Sequence, residues 1–123
     1  MSDWTTTSID EAVSLLRRGT APVCVERSPV RAIGQRCVRS SGFNTSAARP
    51  HLESVPGAVE PQAGDVLLNS TGTGTIGRSC VFPGNIGKFM VDGHVTVLRA
   101  RPEVADGRIV NEFLRSPEGQ RLL

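Results

Sequence analysis

Several features are absent from this sequence of 123 residues, and each absence narrows the choice of function. No apolar run approaches the roughly 18 residues of a membrane helix, and the first residues lack the pattern of a secretory signal peptide. The three cysteines, Cys24, Cys37 and Cys80, have no CxxC spacing and lie in apolar stretches. We therefore expect a cytoplasmic protein with buried thiols and without a disulfide, a metal site or a cofactor.

Charge of one sign is also scarce, because the formal net charge is only +2. The type and position of the basic residues are more informative. Lys88 is the one lysine among 14 lysine and arginine residues, and the segment from Arg17 to Arg49 holds seven arginines against one carboxylate, Glu26. Arginine suits bidentate contact with phosphates and guanine edges. A solvated basic face explains this composition equally well.

The most distinctive stretch is residues 65–78, with the sequence DVLLNSTGTGTIGR. Its apolar residues Val66, Leu67 and Leu68 predict a short buried strand. The glycines that follow permit positive φ, so backbone N–H groups can turn toward an anion or a polynucleotide backbone. Hydroxyl and amide side chains add hydrogen-bonding groups, and Arg78 adds a fixed cation. The loop is typical of a surface that binds a polar anion, and a purely structural turn between two strands is the alternative.

The spacing Gly72-x-Gly74-x-x-Gly77 also matches a dinucleotide-binding fingerprint. That fingerprint requires a helix at its third glycine, whereas a short predicted strand that ends at Pro83 follows Gly77. The glycine loop of protein kinases does not fit either, because Ser79 stands where its valine is expected. A nucleotide-binding enzyme fragment that uses the Gly72–Gly77 loop remains the alternative function.

The remaining segments predict an α+β fold with helices at both ends of the chain. Ser8 and Glu11 form a capping box for an N-terminal helix that Gly19 ends. Apolar residues at helical spacing predict a second helix near residues 109–114, and Ser116 is placed to cap a third. Between them we expect a mixed, mostly antiparallel sheet.

The strands of that sheet are predicted from short apolar segments near residues 23–25, 30–34, 66–68, 80–82, 86–91 and 94–99. Asp92-Gly93 predicts a hairpin between the last two. Residues 40–64 are irregular and rich in proline and glycine, which is typical of a functional loop or of disorder. His51 within this loop is expected to be exposed and not catalytic.

Residues 64–78, 91–99 and 113–120 resemble the target recognition domains of type I restriction-modification DNA specificity subunits. Weaker similarity at residues 18–22 and 33–38 extends this resemblance over nearly the whole chain. The resemblance implies a mixed α/β domain that recognises one half of a split sequence on double-stranded DNA. It implies a part in DNA modification and defence against foreign DNA, with catalysis supplied by the methyltransferase and restriction subunits of the same system.

In that family a long spacer helix follows the domain and leads to a second recognition domain. The present sequence has one recognition domain and reaches Leu123 before such a helix. We therefore expect residues 1–123 to form a single, truncated recognition domain whose binding to partner subunits depends on the missing helix. No membrane contact is expected.

The resemblance and the residue chemistry together give a set of DNA-binding candidates. Loop hydroxyls, glycine N–H groups and arginines are expected to position phosphates, and residues 40–64 to specify bases. At the end of the segment 30–39, glutamine and arginine suit adenine and guanine edges, although polarity at a strand terminus is the alternative. The candidates are Gln35, Arg36, Arg39, Asn69, Ser70, Thr71, Thr73, Thr75, Arg78 and His94.

Overall fold

A computed structural model describes residues 11–71, 76–102 and 105–122 of the chain. Its strands are β1 (Val13–Arg18), β2 (Val30–Ile33), β3 (Val38–Arg39), β4 (Gly42–Phe43), β5 (Arg49–Pro50), β6 (Val66–Asn69), β7 (Ser79–Val81), β8 (Lys88–Val91) and β9 (Val95–Ala100). Helices α1 (Gly107–Arg115) and α2 (Pro117–Leu122) follow, and short 3₁₀ turns cover Gln35–Cys37 and Thr45–Ala47. Within these ranges no helix has both the length and the apolar composition of a membrane span.

The strands form three sheets of different size. The largest is a four-stranded antiparallel sheet in the order β1-β9-β6-β7. A smaller sheet in the order β5-β2-β8 contains one antiparallel and one parallel pair, and β3 pairs with β4. The predictions of an α+β fold, mostly antiparallel pairing and two C-terminal helices are confirmed.

The predicted N-terminal helix is wrong for residues 13–18, which form strand β1. This strand pairs with β9, so that Leu16 lies opposite Leu98 and Arg18 lies opposite Thr96. The pairing gives the backbone of β1 hydrogen-bond partners and buries Val13. Tertiary pairing therefore outweighs the helical spacing of the apolar residues. The predicted cap at Ser8 lies outside the described residues.

Strand β6 lies between β9 and β7, and all four of its residues are buried. On one face, Val66 and Leu68 pack in an apolar cluster with Val110 of α1. On the other face, Leu67 packs with Val97 and with the smaller sheets. Burial on both faces explains why Val66, Leu67 and Leu68 form a continuous apolar run rather than an alternating pattern. The predicted buried strand is confirmed.

Three phenylalanine side chains attach the smaller sheets to the central one. Phe43, Phe82 and Phe89 pack edge to face, with ring centroids 5.2, 5.7 and 5.6 Å apart. Such contacts stabilise a fold by about 0.5–1.5 kcal/mol per pair beyond the burial of area. The cluster joins β4, the residue after β7, and β8, so it holds together segments that are distant in sequence.

Asp92 and Gly93 form the predicted turn, but the predicted hairpin is wrong. Strand β8 pairs in parallel with β2, whereas β9 pairs with β1 and β6. Val91 at the end of β8 also donates to the carbonyl of Val59, so the backbone of β8 has its partners elsewhere. The turn therefore carries the chain from one sheet to another.

Two expectations about single residues are also corrected. Cys37 and Cys80 are buried as predicted, and burial raises the pKa of the Cys80 thiol to about 11, but Cys24 is exposed. His51 is 2% exposed rather than solvent-facing. Its Nε2 accepts the N–H of Val23 at 3.0 Å, and its Nδ1 lies 2.7 Å from the carbonyl of Leu52. The ring therefore anchors the segment 40–64, which the sequence predicted as an irregular loop.

A bidentate ion pair between Arg99 and Asp65 lies at the end of the central sheet where β6 begins. Arg99 Nε and Nη2 donate to the two carboxylate oxygens of Asp65, each at 2.9 Å. Asp65 is 1% exposed and also accepts the N–H of Gln62 at 2.7 Å. The hydrogen bonds to Asp65 raise the pKa of Arg99 above its usual value. This contact fixes the end of the sheet that is opposite to the glycine loop.

We predict that Arg99→Met lowers the free energy of unfolding by about 3–5 kcal/mol, because the carboxylate of Asp65 stays buried without its cation. The exposed pair of Arg108 and Asp106, with an N–O distance of 3.8 Å, provides a control. Arg108→Ala should change the free energy of unfolding by less than about 1 kcal/mol. Urea denaturation at pH 7 measures both variants, and equal small losses would contradict the stabilising role of the pair of Arg99 with the buried Asp65.

Candidate nucleic-acid interface

The four strands of the central sheet begin or end together at one end of the sheet. Because neighbouring strands are antiparallel, β1 and β6 end where β9 and β7 begin. Arg18 ends β1 and its Nε donates to the carbonyl of Gly93, while Asn69 ends β6 opposite Val95. We call this end the strand-end surface, formed by residues 18–20, 34–36, 69–71, 76–78 and 92–94. It is opposite to the end that Asp65 and Arg99 close.

Asn69 connects the segments of the strand-end surface. Its backbone N–H donates to the carbonyl of Arg78 and its carbonyl accepts from Gly77, both at 2.9 Å. Its side-chain Nδ2 donates to the carbonyl of Gln35 at 3.1 Å. The residue is 1% exposed, and its Oδ1 has no hydrogen-bond partner among the described residues. In this position Asn69 holds the neighbouring loops in place rather than presenting its side chain to a ligand.

Ser70, Thr71 and His94 form a hydrogen-bond network beside Asn69. The backbone N–H of Ser70 donates to the carbonyl of His94 at 3.0 Å, and its Oγ donates to the same carbonyl at 3.2 Å. Thr71 Oγ1 is hydrogen-bonded to Nδ1 of His94, and the imidazole is exposed. The network joins the loop after β6 to the turn before β9. The candidates Thr73 and Thr75 lie outside the described residues.

A cleft of about 530 Å³ opens beside this network. It combines amide, hydroxyl, guanidinium, carboxylate and imidazole groups from three parts of the chain. These polar lining residues are Gln35, Arg36, Ser46, Arg49, Asp92 and His94. Hydrogen-bond donors and acceptors of this variety are what the edges of different base pairs require. The structure thus brings three of the predicted candidates together: Gln35, Arg36 and His94.

Several arginines near the strand-end surface have no acidic partner in the described part of the chain. There, ion pairs within 4.0 Å join only Arg99 to Asp65 and Arg108 to Asp106. Arg36 and Arg49 are exposed at the cleft and take part in neither pair. Guanidinium groups without a carboxylate partner are available to phosphate oxygens.

Two of the predicted arginines lie outside the first cleft. Arg39 is exposed in β3, and its Nε donates to the carbonyl of Arg36 at 3.1 Å. Arg78 is exposed just before β7 and lines a second, smaller cleft of about 210 Å³. Of the candidates, Arg78 lines the second cleft, next to the backbone of Asn69, whereas Arg39 lines neither cleft.

Asp92 is a site residue that the sequence analysis did not single out, because Asp-Gly indicated only a turn. Its Oδ1 accepts the N–H of His94 at 2.9 Å, and its carboxylate lines the first cleft. Burial raises the pKa of Asp92, while the hydrogen bond from His94 and the nearby charge of Arg49 oppose that rise. The position of Asp92, two residues before the candidate His94, was the available signal.

Strand β7, and not a helix, follows Gly77. The helix N-terminus that a dinucleotide fingerprint uses to hold pyrophosphate therefore does not occur at this glycine. No group of three histidine, cysteine, aspartate or glutamate side chains that could hold a metal ion occurs among the described residues. Comparisons with protein-family models and with curated proteins find no match for this chain.

The raised pKa of Asp92 predicts a pH-dependent stability. The folded state binds a proton more tightly than the unfolded chain, so stability is lost as pH rises from the ordinary carboxyl pKa of 3.8 through the raised value. Asp92→Asn retains an oxygen for the N–H of His94 but cannot ionise. We expect the wild type to lose stability relative to this variant as pH rises above about 4.

Thermal melts of both proteins in steps from about pH 4 to pH 7 measure this difference. Glu112→Gln, a change at an exposed carboxylate of α1, serves as the control for the loss of one negative charge. Parallel pH profiles for the wild type and Asp92→Asn would show that the carboxyl group of Asp92 is not perturbed.

Proposed function

We propose that this chain is a sequence-specific, double-stranded DNA-binding domain, the target recognition component of a type I restriction-modification specificity subunit. The observation that carries the proposal is the cleft at the strand-end surface, where the exposed Arg36 and Arg49, which form no ion pair within 4.0 Å with the described residues, adjoin amide, hydroxyl and carboxylate groups. The arginines suit phosphates and the other groups suit base edges. The resemblance of residues 64–78 to the recognition-domain family supports the same function.

Within this proposal, the residues of the cleft divide into two roles. Arg36 and Arg49 contact backbone phosphates, which supply most of the affinity but carry no sequence information. Gln35 is suited to the N6 and N7 atoms of adenine, and Asp92 to the amino group of cytosine. Since the carboxylate of Asp92 repels phosphate, a base edge rather than the DNA backbone occupies its part of the cleft.

The hydrogen bonds behind the cleft support binding without a large ordering cost. Asn69 fixes the carbonyl of Gln35, and the network of Ser70, Thr71 and His94 holds two loops together before any ligand arrives. A site whose loops are already positioned loses less conformational entropy on binding. Loops carried by a rigid sheet are a common arrangement for recognition.

The proposed domain is not catalytic and acts in the cytoplasm. The methyltransferase and restriction subunits of the same system act on the DNA that it selects. A nucleotide-binding enzyme that uses the Gly72–Gly77 loop is the competing class. Because strand β7 follows Gly77, the backbone offers no helix N-terminus there for a pyrophosphate, which favours DNA as the ligand.

The salt dependence of DNA binding tests the proposal. For a random-sequence duplex we expect the logarithm of affinity to fall by about 0.9 per phosphate contact for each decade of salt, with four or more contacts. Arg36→Ala should weaken binding to all sequences and reduce this slope by about one contact. Arg108→Ala removes the same charge from the start of α1, far from the strand-end surface, and should leave the slope unchanged. Fluorescence anisotropy measures all three proteins.

A parallel selection from a randomised duplex pool tests sequence recognition. Gln35→Ala should lose preference at one position, by roughly 1–3 kcal/mol, while its affinity for random DNA stays close to that of the wild type. Affinity that does not change between roughly 50 and 200 mM salt would contradict the proposal. So would tight binding of a fluorescent nucleotide by a protein that does not bind the duplex.

A further inference from the structure

The second cleft lies on the other side of Asn69 and has a chemistry of its own. Its volume is about 210 Å³, and its lining residues are Ser40, Ile76, Gly77, Arg78, Ser79, Arg115 and Gln120. These residues come from the turn after β3, the start of β7 and the two helices. They provide two guanidinium groups and two hydroxyl groups, and no carboxylate is among them.

The two arginines of this cleft are accessible to a ligand. Arg78 and Arg115 are exposed, and neither belongs to the ion pairs of the described residues. Two guanidinium groups on one cleft repel each other in the absence of an anion. Each presents a planar set of donors that matches phosphate oxygens, and the hydroxyl of Ser40 adds a further donor. A phosphate group satisfies the charge and the donors together.

Hydrogen bonds hold the backbone beside each arginine. Gln120 Nε2 donates to the carbonyl of Gly77 at 3.2 Å and to the carbonyl of Leu114 at 2.6 Å. Gly77 precedes Arg78 and Leu114 precedes Arg115, so one amide group links the chain next to both cations. Gly77 has φ +91°, and a Cβ there would lie 2.9 Å from Oε1 of Gln120.

A second contact links the start of β7 to α1 at a buried position. Ser79 Oγ donates to Asn111 Oδ1 at 2.6 Å, which joins β7 to α1 in the residue next to Arg78. Both side chains are buried. The distance between the backbones that carry Arg78 and Arg115 is therefore fixed by contacts on either side, before a ligand binds.

We propose that Arg78 and Arg115 form a second phosphate-binding site, with Ser40 as an added donor and Gln120 as a positioning residue. The proposal rests on the proposed function, under which the ligand is a backbone phosphodiester of the bound duplex. The DNA contact then extends from the strand-end surface onto α1 and α2. Inorganic phosphate presents similar oxygens to the cleft, and its competition with the duplex distinguishes the two sources.

Duplex binding by variants of Arg115 tests the site. Arg115→Ala should weaken binding to every sequence by about threefold or more at 200 mM salt and reduce the salt slope by about 0.9, without a change in the selected sequence. Arg115→Lys retains the charge but not the bidentate geometry, so its affinity for the duplex should lie between those of the wild type and Arg115→Ala. Arg121→Ala removes an exposed arginine of α2 that does not line the cleft, and should match the wild type.

The role of Gln120 is tested without a change of charge. Gln120→Ala removes the donors to Gly77 and Leu114 and should reduce the salt slope toward that of Arg115→Ala. A purely structural role would lower the melting temperature and leave the slope at its wild-type value when binding is measured well below the melt. That second result would overturn the assignment of Gln120 as a positioning residue.

Titration with inorganic phosphate tests the site independently of DNA. Phosphate should perturb the Nε–H NMR signals of Arg78 and Arg115, and Arg115→Ala should abolish the response of Arg78. A wild-type salt slope for Arg115→Ala, with no response to phosphate, overturns the second site. In that case a loss of binding on Arg36→Ala would still support the proposed function.

Two further results separate the possible ligands. If the wild type does not bind duplex DNA but phosphate perturbs both arginines, the proposed function fails and the backbone assignment fails with it, while the anion site itself stands. If phosphate binds at micromolar concentration and does not compete with the duplex, the ligand is a small anion, and the backbone assignment is again overturned. Competition only at high phosphate concentration supports the phosphodiester.

Discussion

The burial of strand β6 on both faces is the constraint on which the rest of the structure depends. Val66 and Leu68 require an apolar cover on one face, which α1 supplies, and Leu67 requires another, which the smaller sheets supply. Strands β7 and β9 satisfy its backbone on either edge. Both faces and both edges of β6 are therefore in contact with other parts of the chain. The two ends of the strand differ from each other in how their charges are balanced.

One end of β6 is closed and the other is open to a ligand. At its start, the carboxylate of Asp65 is matched by Arg99 and by a backbone N–H, so its charge is balanced within the fold. At its end, Asn69 holds loops that carry arginines without acidic partners in the described part of the chain. Like charges gathered in this way cost stability unless an anion neutralises them. A polyanion bound at the open end removes that repulsion.

Local patterns in the sequence predicted what local physics determines. The apolar run of β6 and the turn at Asp92 follow from neighbouring residues, as does the cap at Ser116, whose Oγ accepts the N–H of Gly119 at 3.1 Å. Strand β1 was missed because its pairing partner, β9, lies about 80 residues away and the apolar spacing alone fits a helix. The parallel partner of β8, which the hairpin prediction did not anticipate, is also distant in sequence. For the same reason, residue chemistry could identify Gln35 as a candidate. It could not show that Gln35 and Asp92 line one cleft, or that Arg78 and Arg115 line another.

The location of bound DNA on the surface shows whether the strand-end surface is the DNA-binding surface. Backbone amide chemical shifts of the isotopically labelled protein, followed during titration with a duplex, report which segments contact it. We expect the largest changes at residues 34–36, 69–71 and 92–94, at the end of β6 where Asn69 lies. Changes confined to the opposite side, around the cleft that Glu53, Glu60 and Lys88 line, would contradict this expectation.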